Sequence, residues 1–292
     1  MPHGNQPFGV RLAARMQERG NLCVGIDPHP GLLSDWGLND DAAGCERFAL
    51  TVLDAVGDTA CILKPQVALF ERHGSAGMAA LERLLADAAD QGVLTIADAK
   101  RGDIGSTRAA YADAWLRDGS ALAADAVTLN PYLGFESLRP ALDLAAETGR
   151  GVFVLALTSN PEGADIQHAQ VNSDASGADA GPTGGHAVAR IIADAAAQEN
   201  SDAVGLGSVG LVVGATTGAA VRKLGLELGL LNGPILAPGI GAQGAGGAEL
   251  ADTFGPASSL VLGSASRSIL VAGPDQGNLR AAAVAALAEL AN

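Results

Sequence analysis

Eight short apolar segments recur along this 292-residue chain and alternate with segments of helical periodicity. Each apolar segment is nearly continuous, as expected for a strand that helices cover on both faces. The predicted strands are residues 22–26, 61–63, 93–97, 126–129, 152–157, 210–213, 235–237 and 259–262. Eight strand-then-helix units predict a single (β/α)8 TIM barrel domain over residues 1–292. An open, doubly wound sheet is the alternative, but no clear reversal of strand order supports it.

The segments between the predicted strands have amphipathic or alanine-rich patterns that are typical of helices. They predict helices over residues 45–56, 78–90, 107–117, 137–147, 186–199 and 217–228, with a closing helix over residues 278–290. An extra N-terminal helix over residues 8–18 precedes the first strand, and a long loop follows the fifth strand. Aromatic residues make up 3% of the chain, whereas alanine and glycine are abundant, which indicates tight packing of small side chains.

Charge and cysteine usage narrow the class of protein. The net charge of −14 argues against nucleic acid or an anionic membrane as a partner, because both bind basic surfaces. Cys23, Cys45 and Cys61 have no zinc-ligand spacing and are odd in number, so we expect buried free thiols in a reducing, cytoplasmic setting. The five histidines form no metal-binding pattern. Neither a signal segment nor a run of about 18 apolar residues occurs, so we expect neither a secreted nor a membrane protein.

Two of the three lysines in the chain, Lys64 and Lys100, lie at the ends of predicted strands. Lys100 is also flanked by Asp98 and Asp103. An ammonium group can donate a proton, whereas arginine stays protonated at any working pH. In a chain that uses arginine for almost every other cation, a retained lysine indicates a position where a guanidinium cannot act. A surface ion pair at a strand end is the alternative interpretation.

Polar residues that could carry chemistry follow several of the predicted strands. In a (β/α)8 barrel, the loops after the carboxyl ends of the strands form the functional face. The residues at these positions are Asp27, Lys64, Asp98, Lys100, Ser159, Asn160, the glycine-rich residues 239–244 and Arg267. Taken alone, Asp27 could open a turn and Arg267 could be a solvated surface charge. Their convergence on one mouth of the barrel favours a functional site.

The glycine-rich segment 239–244 has two interpretations. It contains GxGxxG directly after a predicted strand, which is the pattern of a dinucleotide-binding loop. However, it follows the seventh strand rather than the first, and no acidic residue ends the next strand. A glycine loop at this point of a barrel instead suits a phosphate group, which backbone N–H groups would bind. The side chains of Gln243 and Arg267 would add to that phosphate site.

The run from Asp98 to Thr107, DAKRGDIGST, resembles the DxKxxDIxxT signature of orotidine 5'-monophosphate decarboxylase. The whole chain is similar to the longer bacterial subgroup of that family, from GIDP at residue 25 through KPQ at Lys64 to RSI at Arg267. One departure is Ser266, where the family pattern has glycine. The DxKxxD part is shared with Mg²⁺-dependent sugar-phosphate enzymes such as 3-keto-gulonate-6-phosphate decarboxylase, which carry a carboxylate where this chain has Lys64. The resemblance therefore implies a metal-free and cofactor-free enzyme.

The implied reaction is the decarboxylation of orotidine 5'-monophosphate (OMP) to UMP, the last step of de novo pyrimidine nucleotide synthesis. Loss of CO₂ leaves a carbanion at C6 whose lone pair lies in the ring plane, so only fixed charge can stabilise it. The resemblance implies that Lys100 is the cation and proton donor at C6. Lys100 would lie in a charged array with Lys64, Asp98 and Asp103, whose carboxylates favour its charged form. Asp27 and Lys64 would hold the ribose hydroxyls.

The resemblance also implies a binding role for residues farther along the chain. Ser159 would contact the pyrimidine, and Gln243 and Arg267 would bind the phosphate. Asp103 and Thr107 would reach into the site of a neighbouring subunit, so the sites would be shared in a homodimer. Three alternatives stay open from the residues alone: an NAD-dependent oxidoreductase, a Mg²⁺-dependent sugar-phosphate lyase or aldolase, and a nucleotide-binding barrel without activity.

Overall fold

A computed structural model of the chain describes residues 6–171, 185–240 and 246–290, and the described residues contain eight parallel strands in one sheet. The strands are β1 (Leu22–Ile26), β2 (Ile62–Pro65), β3 (Ile96–Arg101), β4 (Ala126–Leu129), β5 (Gly151–Leu157), β6 (Val209–Val213), β7 (Ile235–Pro238) and β8 (Val261–Ala265). Their order is β2-β1-β8-β7-β6-β5-β4-β3, and single bridges from Leu63 to Thr95 and from Gln66 to Asp98 join β2 to the β3 side. The sheet therefore closes into a nearly complete barrel, which confirms the predicted (β/α)8 fold.

Helices alternate with the strands around the outside of the barrel. They are α1 (Phe8–Arg19), α2 (Pro30–Asp35), α3 (Ala42–Val56), α4 (Val67–Glu71), α5 (Gly74–Asp90), α6 (Gly105–Leu116), α7 (Arg139–Thr148), α8 (Ala164–Gln167), α9 (Val188–Glu199), α10 (Gly218–Leu224), α11 (Gly247–Phe254), α12 (Arg267–Leu270) and α13 (Gln276–Leu290). Shorter 3₁₀ turns occupy Phe135–Leu138, Pro161–Gly163, Leu228–Leu230 and Gly255–Leu260. The extra N-terminal helix is present as α1. Part of the long segment after β5, residues 172–184, lies outside the described residues.

Several element bounds differ from the prediction, each for a local reason. The strand predicted over residues 93–97 is observed as β3, Ile96–Arg101, because the strand continues into polar residues that an apolar pattern does not detect. The strand predicted over residues 259–262 is observed as β8, which begins only after a 3₁₀ turn. The helix predicted over residues 217–228 ends at Leu224 because Gly225 takes a left-handed conformation with φ 67°. Five helices were not predicted: α2, α4, α8, α11 and α12.

The barrel interior is apolar at its amino-terminal end, where α1 packs against it. Phe8 and Leu12 of this helix are fully buried and join a cluster of barrel residues that includes Phe153, whose ring meets that of Phe8 edge to face. The helix lies so close to the barrel that a Cβ atom at Gly9 would come 2.0 Å from the carbonyl oxygen of Leu206. Helix α1 therefore packs against the amino-terminal end of the strands, opposite the carboxyl ends that carry the polar residues.

The three cysteines are free and buried, as predicted. Burial raises the pKa of the Cys23 thiol to about 12 and that of Cys45 to about 11, so these groups stay protonated at neutral pH. Among residues 6–171, 185–240 and 246–290, no group of three or more histidine, cysteine, aspartate or glutamate side chains could hold a metal ion. No helix in the same part of the chain is long and apolar enough to cross a membrane.

Candidate active site

The backbone of β3 departs from regular strand geometry where it carries Asp98 and Lys100. Ala97 pairs with Val127 of β4 and Arg101 pairs with Leu129, so three residues of β3 lie opposite the single residue Thr128. Within this bulge Lys100 has φ 48°, in the left-handed region that an L-residue occupies at a cost on the order of 1–3 kcal/mol. Bulges of this kind re-aim side chains next to functional sites.

The carboxylate of Asp98 lies at the centre of the cluster and accepts four hydrogen bonds. Its Oδ2 accepts from Lys64 Nζ at 2.9 Å and from Gln66 Nε2 at 3.0 Å. Its Oδ1 accepts from Lys100 Nζ at 2.6 Å and from Thr128 Oγ1 at 3.0 Å. An ionised carboxylate offers about four acceptor positions, so Asp98 is held in one orientation by donors on every side. The sequence analysis included neither Gln66 nor Thr128 in the site.

Burial and charge act in opposite directions on this cluster. Burial alone would raise the pKa of Asp98, but the ammonium groups of Lys64 and Lys100 hold it well below its usual range. Burial alone would lower the pKa of Lys64, but the charges of Asp98 and Asp27 raise it above its ordinary value. Both members of the buried Lys64–Asp98 pair are therefore charged at neutral pH.

The two ammonium groups differ in their access to solvent. The side chain of Lys64 is 7% exposed, whereas that of Lys100 is 44% exposed, although both contact the same carboxylate. Lys64 is thus an internal counter-ion of Asp98. Of these two lysines, Lys100 is the more accessible to a ligand that enters from the carboxyl-terminal end.

A cavity of about 400 Å³ opens at the carboxyl-terminal mouth of the barrel. Seven predicted site residues line it: Asp27, Lys64, Asp98, Lys100, Ser159, Asn160 and Arg267. His29, Gln66 and Ser266 also line the cavity and were not predicted as site residues, although each lies within three residues of one that was. Gln243 belongs to residues 241–245, which lie outside the described residues.

Asp27 lies on the loop after β1 and has one free acceptor. Its Oδ2 accepts a hydrogen bond of 2.5 Å from Ser266 Oγ, while its Oδ1 is buried without a hydrogen-bond partner among the described residues. A Cβ atom at Gly25 would come 2.7 Å from that of Ser266, so glycine at residue 25 leaves space for the serine. Asp27 can therefore accept a hydrogen bond from a ligand hydroxyl.

Ser159 lies on the loop after β5, which the side chain of Gln167 holds in place. Gln167 Oε1 accepts from the backbone N–H of Thr158 at 2.8 Å, and its Nε2 donates to Thr158 Oγ1 at 2.8 Å. Thr158 Oγ1 in turn lies 2.6 Å from Asn160 Oδ1. These bonds fix Ser159 at the cavity wall. Gln167 is eight residues away in sequence, and no motif indicated it.

Arg267 lies at the edge of the cavity, where it is exposed at the start of α12. Pro238, Gly239 and Ile240, which lead into the glycine-rich segment, line the same cavity, and Gly239 has φ 111°. This part of the wall thus combines an exposed cation with a glycine whose backbone conformation L-residues rarely adopt. Such a wall can bind an anionic group.

Asp103 and Thr107 do not belong to the set of residues that line the cavity. Asp103 Oδ1 accepts from the backbone N–H of Ile104 at 2.8 Å. Helix α6 begins at Gly105 with Ile104 as its N-cap, so Asp103 does not cap this helix in the usual way. Thr107 is exposed on the first turn of α6. Neither residue completes the cavity of its own chain.

Comparisons with known proteins agree on one family. The family model described as Orotidine 5'-phosphate decarboxylase / HUMPS family matches residues 20–282. The chain is 53% identical over 284 residues to an orotidine 5'-phosphate decarboxylase of Salinispora arenicola, covering 97% of each chain. It is 52% identical over 278 residues to the enzyme of the same name from Streptomyces coelicolor, covering 95% of each.

Solved structures give the same result. A Streptomyces avermitilis protein assigned as an orotidine 5'-phosphate decarboxylase superposes with a TM-score of 0.90 at 51% identity, covering 100% of this chain and 98% of that one. The OMP decarboxylase of Leishmania donovani superposes with a TM-score of 0.74 at 30% identity, covering 98% of both chains.

Proposed function

Because the chain belongs to the orotidine 5'-phosphate decarboxylase / HUMPS family, we propose that its cavity is the site of OMP decarboxylation and that Lys100 acts at C6. The activity itself, decarboxylation of OMP in pyrimidine biosynthesis, makes the chain a lyase. One observation carries the assignment of the site. Lys100, the more exposed of the two lysines in the cavity, donates its ammonium group to Asp98, which also forms a buried ion pair with Lys64.

The proposed chemistry needs a cation at a fixed place. The bond between C6 and the carboxylate breaks, CO₂ leaves, and the electron pair stays on C6 in the plane of the ring. An ammonium group held beside C6 stabilises that charge without first having to reorient. Lys100 then gives one of its protons to C6, which makes UMP. Asp98 cannot be the proton donor because its pKa is held well below its usual range by the two lysines.

Other residues bind the ribose, the pyrimidine and the phosphate of the nucleotide. The unpartnered Oδ1 of Asp27 accepts a hydrogen bond from a ribose hydroxyl, and the buried Lys64 lies close enough to interact with Asp27 electrostatically. Ser159 contacts the pyrimidine. Arg267 binds the phosphate together with Gln243. Binding energy gained at the phosphate, far from C6, organises the site for the reaction.

We also propose that two copies of the chain form a homodimer and share their sites. Asp103 and Thr107 lie outside the cavity of their own chain and flank Ile104, which is 61% exposed. A groove of about 790 Å³ begins at Lys100 and is lined by Tyr132 and Ile166, which are 72% and 49% exposed. Exposed apolar side chains beside a groove are typical of an interaction surface. A two-fold contact would bring α6 of one copy to this groove of the other.

No metal or cofactor enters this mechanism. Lys64 Nζ, 2.9 Å from Asp98 Oδ2, already supplies the positive charge beside that carboxylate. The free, buried cysteines are consistent with the cytoplasm as the place of the reaction. A spectrophotometric assay of OMP loss, with and without EDTA, tests the function. We expect unchanged activity in EDTA without any nicotinamide. Loss of activity in EDTA would support the Mg²⁺-dependent alternative, and UMP binding without OMP loss would support a binding protein.

A further inference from the structure

Thr128 is a fully buried residue of β4 whose hydroxyl contacts both polar residues of the β3 bulge. Oγ1 accepts a hydrogen bond from the backbone N–H of Lys100 at 2.9 Å and donates one to Asp98 Oδ1 at 3.0 Å. A hydroxyl has one donor and two acceptor positions, so both bonds form at once. The side chain thus ties the backbone of Lys100 to the carboxylate that holds its ammonium group.

The bulge explains why a side chain is needed at this point. In a regular parallel ladder, backbone carbonyls of β4 would accept from the N–H groups of β3. Here residues 98–100 lie opposite Thr128 alone, and the N–H of Lys100 bonds to the threonine side chain. Lys100 has φ 48°, a conformation that persists in an L-residue only when surrounding bonds hold it. The Thr128 hydroxyl is one such bond.

The two oxygens of Asp98 are held differently. Oδ2 accepts from Lys64 Nζ and Gln66 Nε2. Oδ1 accepts only from Lys100 Nζ and Thr128 Oγ1 among the described residues. Without the Thr128 hydroxyl, the oxygen that aims the ammonium group would keep no bond except the one to that group itself.

We propose that Thr128 is a positioning residue for the decarboxylation, setting the backbone of Lys100 and Oδ1 of Asp98 so that the ammonium group meets C6. This inference rests on the proposed role of Lys100. A fixed charge stabilises a transition state only while its position is maintained, and a displacement of about 1 Å can lower a rate by roughly a hundredfold. Thr128 acts through Asp98 and Lys100 and makes no contact with the reacting atoms.

The test separates positioning from simple stabilisation of a buried N–H group. Thr128→Val removes the hydroxyl and keeps the shape, whereas Thr128→Ser keeps the hydroxyl. Thr253→Val is the matched control, because Thr253 is also buried and its hydroxyl donates to the Ala215 carbonyl at 2.8 Å, away from Lys100. For each variant, kcat for OMP, Kd for UMP and the urea midpoint of unfolding are measured.

We expect Thr128→Val to lower kcat by about 10- to 100-fold while UMP affinity changes by less than about threefold. Thr128→Ser should retain kcat within about fivefold, and Thr253→Val should lose stability but keep its kcat. The inference is overturned if kcat of Thr128→Val stays within about fivefold of the wild-type value. It is also overturned if Thr253→Val lowers kcat as much as Thr128→Val does. If Thr128→Val does not fold, Thr128→Ser decides alone, and a loss beyond about fivefold overturns the inference.

Lys100→Ala in the same assay distinguishes a failure of the proposed role of Lys100 from a failure of the proposed role of Thr128. If Lys100→Ala remains active, the proposed role of Lys100 fails. If Lys100→Ala is inactive while Thr128→Val is fully active, only the role of Thr128 fails.

Discussion

Replacing Asp98 with asparagine removes the carboxylate that contacts both Lys64 and Lys100. All four of its partners are donors, so the NH₂ group of an asparagine would face at least one donor without an acceptor between them. Lys64, whose side chain is only 7% exposed, would lose the counter-ion that offsets its burial. We therefore expect Asp98→Asn to be strongly destabilised, because breaking a buried pair leaves an uncompensated charge.

The size of that loss has an upper bound for Lys64. The ammonium group can discharge instead of staying charged in an apolar site, and at pH 7.5 this costs about 4 kcal/mol relative to its ordinary pKa of 10.5. We predict that the free energy of unfolding falls by about 3–4 kcal/mol at pH 7.5, which lowers Tm by about 5–7 °C.

The pH dependence of the loss follows from the direction of the two pKa shifts. The raised pKa of Lys64 means that its stabilising contribution is complete below 10.5 and is lost as the pH rises through the value in the folded protein. The lowered pKa of Asp98 means that its contribution is complete above 3.8 and is lost only in acid. Deprotonating Lys64 in the folded variant costs about 1.4 kcal/mol less for each unit by which the pH rises. The difference in free energy of unfolding between wild type and Asp98→Asn should therefore decrease to about 1–2 kcal/mol at pH 9.5.

Urea unfolding at pH 7.5 and 9.5, followed by circular dichroism, measures this difference. The control is the double variant Lys64→Met with Asp98→Asn, which has no buried amine to discharge at residue 64. The free energy of unfolding of the double variant should therefore differ less from that of Asp98→Asn at pH 9.5 than at pH 7.5. If Asp98→Asn lowers the free energy of unfolding by less than about 1 kcal/mol at pH 7.5, or by the same amount at both pH values, Asp98 is not the counter-ion that keeps Lys64 charged.

Two further predictions concern the phosphate and the second subunit. Arg267→Ala should weaken UMP binding by roughly 10- to 100-fold and uridine binding by less than about threefold, because only the nucleotide carries the dianion; equal losses in calorimetric titrations would remove Arg267 from the phosphate site. Lys100→Ala and Asp103→Ala should each be inactive, but mixing them under subunit exchange should restore about a quarter of wild-type activity, since half of the dimers then hold one intact site of two. No recovery after exchange is demonstrated would mean that Asp103 does not act across subunits.

The barrel could be predicted from the sequence because the apolar segments carry its signal directly. The segments at residues 22–26 and 126–129 match β1 and β4 to the residue. The prediction was wrong where function and structure overlap, as in β3, which runs on through Asp98 and Lys100 to Arg101. Hydrophobic patterns favour ending a strand at such polar residues, although here buried ion pairs and hydrogen bonds satisfy them.

Site residues could be predicted where they belong to a sequence motif. They could not be predicted where they contact the site from a distant part of the sequence. Lys64, Asp98 and Lys100 stand in short recognisable motifs. In the structure, the ammonium groups of Lys64 and Lys100 lie 2.9 Å and 2.6 Å from the carboxylate of Asp98. Thr128 lies on another strand and faces the bulge only because the register between β3 and β4 shifts there. Gln167 acts on Thr158 through the fold of one loop. Neither residue belongs to a pattern that can be read along the chain.

The proposed role of Lys100 is that of cation and proton donor for the decarboxylation. Rapid measurement of OMP loss by Lys100→Ala at saturating substrate, with UMP affinity measured by calorimetry on the same preparation, tests it most directly. We predict that kcat falls by at least about a hundred- to a thousandfold, corresponding to roughly 3–4 kcal/mol of lost transition-state stabilisation. UMP binding should remain measurable because Asp27, Ser159 and Arg267 are unchanged. A variant that folds, binds UMP and retains more than about a tenth of the wild-type kcat would contradict the account.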